Sequence, residues 1–147
     1  MIVLDTNIVS ELLRPSPSSN VESWLASQVA SSVYFTTVGE AELRYGLAVL
    51  APGKRRTHLA RVIEDILAED FRDRILVFGR EAASFYALIA AQRRGEGRPI
   101  SSFDCQIAAI ARAHNAALAT RNEKDFQGCG VELINPWLSA KTKTSFN

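Results

Sequence analysis

The stretch Ile2-Val-Leu-Asp-Thr-Asn7 places an acidic residue directly after three consecutive apolar ones. A strand that is covered on both faces is apolar at every position, so we predict that residues 2–4 form a buried strand of a parallel sheet. Open parallel sheets bind their ligands outside the carboxyl ends of the strands. Asp5 is therefore expected at the ligand-binding edge of the sheet.

The rest of the chain alternates short apolar runs with amphipathic segments. The pattern predicts strands at residues 33–36, 75–78, 117–120 and 131–134, and helices at residues 7–13, 21–29, 37–49, 57–68, 81–94 and 102–115. Asn20 is the predicted N-cap of the second helix, and Thr37 and Glu40 have capping-box spacing at the start of the third. Strands interleaved with helices indicate an α/β protein with a mainly parallel sheet covered on both sides.

Length and composition exclude several classes of protein. A chain of 147 residues, 47% apolar and 22% charged, is typical of one globular domain. The longest apolar run, residues 85–91, is far shorter than the ~18 residues of a membrane span, and the N-terminus has no basic segment of a secretory signal. Cys105 and Cys129 lack the spacing of a zinc site, which favours free thiols in a reducing cytoplasm. A net charge of +1 excludes a uniformly basic surface.

Three acidic residues have positions that favour a metal site. Asp5 follows a strand, Glu42 shares a helix face with Val38 and Val49, and Asp104 lies in the first turn of a helix. Helix capping alone could explain Asp5 and Asp104. A carboxylate within an apolar stripe such as that of Glu42 is costly unless it is paired or bound to a metal. Because the sequence has carboxylates and no cluster of His or Cys, the candidate ligands favour Mg²⁺, with Mn²⁺ as a substitute. A metal held in this way suits the hydrolysis of phosphodiester bonds.

Other residues are candidates for the same function. Asn122 and Asp125 follow the fourth predicted strand and can reach the same crevice. Tyr45 and Phe103 could stack on nucleic-acid bases, although core packing is the interpretation we favour for both. Basic segments could guide a nucleic-acid backbone, although solvated loops explain them equally well. These segments contain Lys54, Arg55, Arg56 and Arg61, and Arg93, Arg94 and Arg98.

Four segments, in this order, resemble the PIN domain: IVLDTNIVSE (residues 2–11), TVGEAELRYG (37–46), SFDCQIAAIA (102–111) and LATRNEKDF (118–126). More narrowly, the chain is similar to the VapC-type toxins of bacterial toxin–antitoxin pairs. The ending NPW (135–137) resembles the FitB-like subgroup of these toxins. The resemblance implies a metal-dependent endoribonuclease with a three-layer α/β/α sandwich, here over residues 1–138, followed by a polar tail at 139–147.

The resemblance also implies site residues and partners. The family's acidic quartet corresponds to Asp5, Glu42, Asp104 and the position of Asn122, where many relatives have Asp. Asp125 could supply the missing charge. Three carboxylates are thus expected in place of four, and the choice between one metal and two stays open. Asn7 and Thr120 match polar positions expected to orient carboxylates or water. The implied partners are RNA as substrate, a VapB-type antitoxin that connects the toxin to DNA, and a second copy of the toxin in a homodimer.

Two other functions are compatible with part of the sequence. A phosphatase of the haloacid-dehalogenase-like type also has an Asp after its first strand, but it needs a second Asp at the position of Asn7. A catalytically weakened module that acts mainly through an antitoxin complex would explain Asn122. Metal binding separates this alternative from a working nuclease.

Overall fold

A computed structural model of the chain describes residues 1–138. Five parallel strands form one sheet in the order β3-β2-β1-β4-β5. They are β1 (Ile2–Leu4), β2 (Val33–Thr36), β3 (Ile75–Leu76), β4 (Ala117–Ala119) and β5 (Leu133–Ile134). The α/β class with a parallel sheet is thereby confirmed. The predicted tail, 139–147, lies outside the described residues, so the proposed domain boundary stays a prediction.

Seven α-helices connect the strands in the described part of the chain. They are α1 (Thr6–Leu12), α2 (Ser19–Ala26), α3 (Thr37–Ala48), α4 (Lys54–Asp65), α5 (Arg80–Gly95), α6 (Ser102–Ala113) and α7 (Glu123–Phe126). A 3₁₀ turn covers Ala30–Ser32 and a π-helical turn covers Ile66–Asp70. Within residues 1–138, no helix is both long and apolar enough to cross a membrane.

Two apolar cores lie on opposite faces of the sheet. Val3 and Leu118 pack with residues of α5 and α6, whereas Leu4 and Ala119 pack with residues of α1, α2 and α4. Neighbouring residues of one strand enter different cores because strand side chains alternate between faces. The result is the three-layer α/β/α sandwich.

Helix starts differ from the prediction where several capping residues occur together. The N-cap of α3 is Thr36 instead of Thr37, and its Oγ1 accepts a hydrogen bond from the backbone N of Gly39 at 2.9 Å. Glu40 completes no capping box and accepts instead from Arg44 at 2.9 Å. Adjacent threonines are equally good caps locally, so the packing of β2 decides which of them is used.

Other differences concern length. The N-cap of α2 is Ser18, and α4 begins at Lys54, so the basic residues 54–56 belong to a helix instead of a loop. Strands β3 and β5 are two residues long, shorter than the predicted 75–78 and 131–134. The four-residue helix α7 was not predicted, because one turn is too short to show a helical period.

Gly39 fixes how closely α3 approaches the sheet. A Cβ atom at this position would lie 2.5 Å from Cζ of Phe35, whose ring is fully buried and stacks on Phe71 at 5.5 Å. We expect Gly39→Ala to lower the free energy of unfolding by about 2 kcal/mol, measured by urea denaturation, because the ring has no space to move. Gly46→Ala, in the same helix with open space around it, is the control and is expected to be neutral or stabilising. Equal stability of the two variants would contradict the close contact.

Candidate active site

The order of the strands creates a crevice between β1 and β4. After β1 the chain builds β2 and β3 on one side, and β4 then returns to the other side of β1. Such a reversal point is where open α/β sheets bind ligands. Asp5 and Thr120 follow these two strands, and the Thr120 hydroxyl donates a 2.7 Å hydrogen bond to Oδ2 of Asp5 across 115 positions of sequence.

Asp5 is a buried carboxylate without a cationic partner. Its side chain is 5% exposed, and Oδ1 accepts a 2.7 Å hydrogen bond from the backbone N of Thr6 at the start of α1. No lysine or arginine of residues 1–138 lies within ion-pair distance of it. Burial, with repulsion from Asp104 and Glu42, raises the pKa of Asp5 to about 6, although the hydrogen bonds from Thr120 and Thr6 oppose this shift.

Glu42 and Asp104 complete an acidic group around Asp5. Glu42 projects from α3, and its Oε1 accepts a 2.9 Å hydrogen bond from the hydroxyl of Thr6. Asp104 lies in the first turn of α6, after the N-cap Ser101. Partial burial raises the pKa of both carboxyls, and repulsion from Asp104 adds to the shift at Glu42. Each of these carboxylates is thus less stable as an anion than it would be in water.

The three carboxylates line one open cleft of about 500 Å³. Its remaining lining residues are Thr6, Asn7, Ser10, Glu11, Arg14, Arg121, Asn122 and Trp137. Glu11 differs from the other acids because it is paired with Arg14 at 3.2 Å and accepts from the backbone N of Ser18 at 3.0 Å, and its pKa is lowered. The negative charge of Asp5, Glu42 and Asp104 is therefore the part of the cleft left uncompensated by the protein.

Asn7 adds an unpartnered acceptor to this cleft. The single hydroxyl proton of Thr120 is used on Asp5, so Thr120 must accept from Asn7, whose Nδ2 lies 3.5 Å away. This fixes the orientation of the amide and leaves Oδ1 of Asn7 buried without a hydrogen-bond partner. A buried acceptor without a donor is costly, and bound water or an ion would satisfy it.

The donor set fits a hard divalent cation. Carboxylate and amide oxygens are the ligands that Mg²⁺ and Mn²⁺ prefer. In residues 1–138, no three His, Cys, Asp or Glu side chains are already close enough to ligate one ion together. Mg²⁺ usually takes only one or two carboxylates and keeps several waters, so the arrangement suits ligation by part of the acidic group with water completing the shell.

Asn122 and Asp125 both lie near the cleft, in different places. Asn122 lines it at the N-terminus of α7, and its backbone N donates to the hydroxyl of Thr120 at 3.0 Å. Asp125 is one turn further on and exposed, and its charge contributes to the raised pKa of Asp104. Which residue completes the site stays a prediction. Asn122 is linked to Asp5 through the hydroxyl of Thr120, whereas Asp125 acts on Asp104 through its charge.

The basic candidates separate into surface and buried residues. Arg93 is 4% exposed, and its guanidinium donates to the backbone oxygens of Arg98, Asp125 and Gln127. Its assignment to an RNA approach surface is wrong, because the side chain is enclosed and its donors are used within the protein. The other six basic candidates are exposed or half-buried: Lys54, Arg55, Arg56, Arg61, Arg94 and Arg98. Their contact with RNA stays a prediction.

Two further aromatic assignments change. Tyr45 and Phe103 are 72% and 53% exposed, so neither belongs to the core as we had favoured. The face of α3 that holds Glu42 is buried at Val38 and open at Val49.

Arg121 and Trp137, which line the cleft, were not among the sequence-based candidates. Both could have been found from the sequence: Arg121 directly follows Thr120, and Trp137 lies in the NPW ending (135–137).

The raised pKa of Asp5 predicts a stability that depends on pH. Between about pH 4 and pH 6 the folded protein keeps a proton on Asp5 that the unfolded chain has released, so stability falls as pH rises through this window. In EDTA, we expect the free energy of unfolding of Asp5→Asn relative to wild type to increase by about 2–3 kcal/mol from pH 4 to pH 7. Urea denaturation at several pH values measures this difference. If the difference does not change with pH, the raised pKa of Asp5 is contradicted.

Comparison with known proteins identifies the family. The model of the PIN domain family matches residues 2–128. The chain is 39% identical over 137 residues to the VapC ribonuclease Y4jK of Sinorhizobium fredii, covering 93% of this chain and 98% of that protein. It is also 39% identical to the toxin FitB of Neisseria gonorrhoeae, covering 93% and 99%. The crystal structure of FitAcB from Neisseria gonorrhoeae superposes with a TM-score of 0.89 at 39% identity, covering 95% of this chain and 100% of that one. Because the family model matches most of its length and relatives share 39% of its sequence, the chain belongs to the PIN domain family.

Proposed function

We propose that this PIN domain is an Mg²⁺-dependent endoribonuclease and the toxin of a toxin–antitoxin pair. The observation that carries the proposal is the group formed by Asp5, Glu42 and Asp104, which reach one cleft from distant segments and have no cationic partner in residues 1–138. The relatives named as a VapC ribonuclease and a FitB toxin support the substrate class and the biological role.

Each acidic residue of the cleft has its own role in the proposed reaction. A bound Mg²⁺ supplies polarisation of a phosphoryl oxygen and lowers the pKa of bound water. Asp5 would be the first ligand, because hydrogen bonds from Thr6 and Thr120 hold both of its oxygens in place. Asp104, in the first turn of α6, would be the second ligand. Glu42 is oriented by the Thr6 hydroxyl and serves as a ligand or positions the attacking water through its other oxygen.

The partners follow from the same proposal. A VapB-type antitoxin would neutralise the acidic cleft with a basic side chain, and it would provide the contact with DNA, since a toxin chain with a net charge of +1 has little affinity for DNA of its own. A homodimer and a larger complex of toxin with antitoxin are expected. The free thiols of Cys105 and Cys129 fit a reducing cytoplasm.

The decisive experiment is cleavage of single-stranded RNA by the purified protein. We expect cleavage with Mg²⁺ or Mn²⁺, none in EDTA, and none for Asp104→Asn with its fold retained. Asp65→Asn, at an exposed position of α4, is the matched control and should cleave like wild type. A separate variant, Asp125→Asn, tests which residue completes the site. If it is as inactive as Asp104→Asn, Asp125 completes the site in place of Asn122.

The weakened-module alternative predicts a different result. It would be supported by tight antitoxin binding together with no binding of Mg²⁺ or Mn²⁺ in calorimetry at millimolar metal and no RNA cleavage. Asn122→Asp then becomes informative, because restoring a carboxylate at this position should restore metal binding if the missing charge is the cause.

A further inference from the structure

Arg121 and Trp137 form one wall of the cleft that holds the acidic group. The guanidinium carbon of Arg121 lies 5.3 Å from the centre of the Trp137 ring, within the range of a cation–π contact. Arg121 is exposed, and no carboxylate of residues 1–138 forms an ion pair with it. The wall therefore presents a planar cation whose N–H groups are open to the cleft.

Neighbouring contacts fix the backbone position of both residues. Arg121 directly follows the fully buried Thr120, whose hydroxyl bonds Asp5. The backbone N of Trp137 donates to Oδ1 of Asn135 at 3.0 Å, and its carbonyl oxygen accepts from Asn20 at 2.7 Å. The indole also packs against the apolar core on the α1 side of the sheet. Because the ring is anchored in this way, it provides a fixed support for the guanidinium.

The charge of the cleft gives Arg121 a specific use. A polyanion entering the cleft meets three carboxylates that no lysine or arginine of residues 1–138 pairs with, so a cation lining the cleft reduces the repulsion. Arg14, the other cation lining the cleft, is already paired with Glu11 at 3.2 Å. Arg121 forms no ion pair in the described chain, and Glu11, whose pKa the charge of Arg121 helps to lower, is already bound to Arg14. Arg121 is therefore the cation of this cleft that stays available to a phosphate.

We propose that Arg121 forms a nucleotide subsite of the cleft, with Trp137 as its positioning residue. Trp137 supports the inner face of the guanidinium. The outer face stacks on an unpaired base of single-stranded RNA, and the N–H edge contacts a phosphate next to the scissile bond. This inference rests on the proposed ribonuclease function and names how that function selects single-stranded RNA.

The test measures binding separately from cleavage. A fluorescein-labelled single-stranded 12-mer RNA is titrated with the protein in EDTA, over a series of salt concentrations, with fluorescence anisotropy as the readout. Arg121→Gln is expected to weaken binding roughly tenfold and to reduce the slope of log affinity against log salt by about 0.7, the value for one phosphate contact on a single strand. Arg121→Lys should keep the salt slope and lose part of the affinity, since the ammonium keeps the charge but lacks the planar guanidinium that stacks on a base. Arg72→Gln, an exposed arginine outside the cleft, is the control and should bind as wild type.

A double-mutant cycle separates the role of Trp137 from a merely structural one. Trp137→Leu should weaken RNA binding in the wild type and have little further effect in Arg121→Gln, because it acts through the guanidinium. Equal effects in both backgrounds would overturn the positioning role. If the wild type cleaves RNA but Arg121→Gln binds RNA with the same affinity and the same salt slope as wild type, the subsite is wrong and the proposed function stands. The same holds if Arg121→Gln weakens only the binding of the antitoxin. Absence of cleavage by the wild type would instead refute the proposed function.

Discussion

Asp5→Asn is expected to abolish RNA cleavage while leaving the fold intact. The amide has the shape of the carboxylate and can still accept from the backbone N of Thr6, so the start of α1 is preserved. It removes the charge that would hold the metal, whose contribution to the transition state is several kcal/mol. The expected loss is on the order of 10³-fold in the single-turnover cleavage rate at saturating Mg²⁺.

Two measurements make this prediction specific. Asp65→Asn, at an exposed position of α4, is the matched control and should cleave like wild type. Circular dichroism and urea denaturation should show that Asp5→Asn is folded and, in EDTA at neutral pH, more stable than wild type, since repulsion and desolvation at Asp5 are relieved. A gain in stability together with a loss of activity is typical of a site that is built for function. Full activity of the variant would end the metal-site account.

Arg93→Ala is expected to cause the largest loss of stability. The substitution removes the donors to three backbone oxygens, of Arg98, Asp125 and Gln127, at distances of 2.7–3.2 Å, and leaves space around a side chain that was 4% exposed. A hydrogen bond from a charged donor contributes about 1.5–3 kcal/mol, and these three are only partly buried, so we expect the free energy of unfolding to fall by about 3–5 kcal/mol.

The neighbouring residue provides the control. Arg94→Ala removes an exposed arginine from the same helix and should change stability by less than about 0.5 kcal/mol. Arg93→Lys should lose an intermediate amount, because an ammonium cannot reach three carbonyls in the way the guanidinium fork does. Arg93 joins the last turn of α5 to α7, and its charge and that of Asp125 both act on Asp104. Loss of Arg93 should therefore also reduce RNA cleavage. A loss below 1 kcal/mol for Arg93→Ala would show that these hydrogen bonds contribute little.

The sequence was sufficient for the class of fold and for the acidic residues. Residues 2–4 and 117–119 are apolar at every position because both of their faces are covered, and this pattern alone predicts strands of a parallel sheet. Asp5 was a candidate because it directly follows a buried strand, where open sheets bind ligands. Glu42 and Asp104 were candidates because a carboxylate on an inward helix face requires a partner or a metal. The PIN domain resemblance, carried by four segments in order, was confirmed by the family comparison.

Tertiary structure decided how these residues are combined. The return of β4 to the side of β1 brings Thr120 to Asp5 across 115 positions, and no local pattern contains this information. The same is true of Arg93, whose sequence neighbours suggest a solvated basic segment although it is buried, and of Arg121 and Trp137, which meet only in the fold. Periodicity reports which face of an element is covered, whereas the identity of the covering residues depends on contacts between distant segments. The chain sequence therefore determined the chemistry available to the cleft, and the packing of the sheet determined which side chains share it.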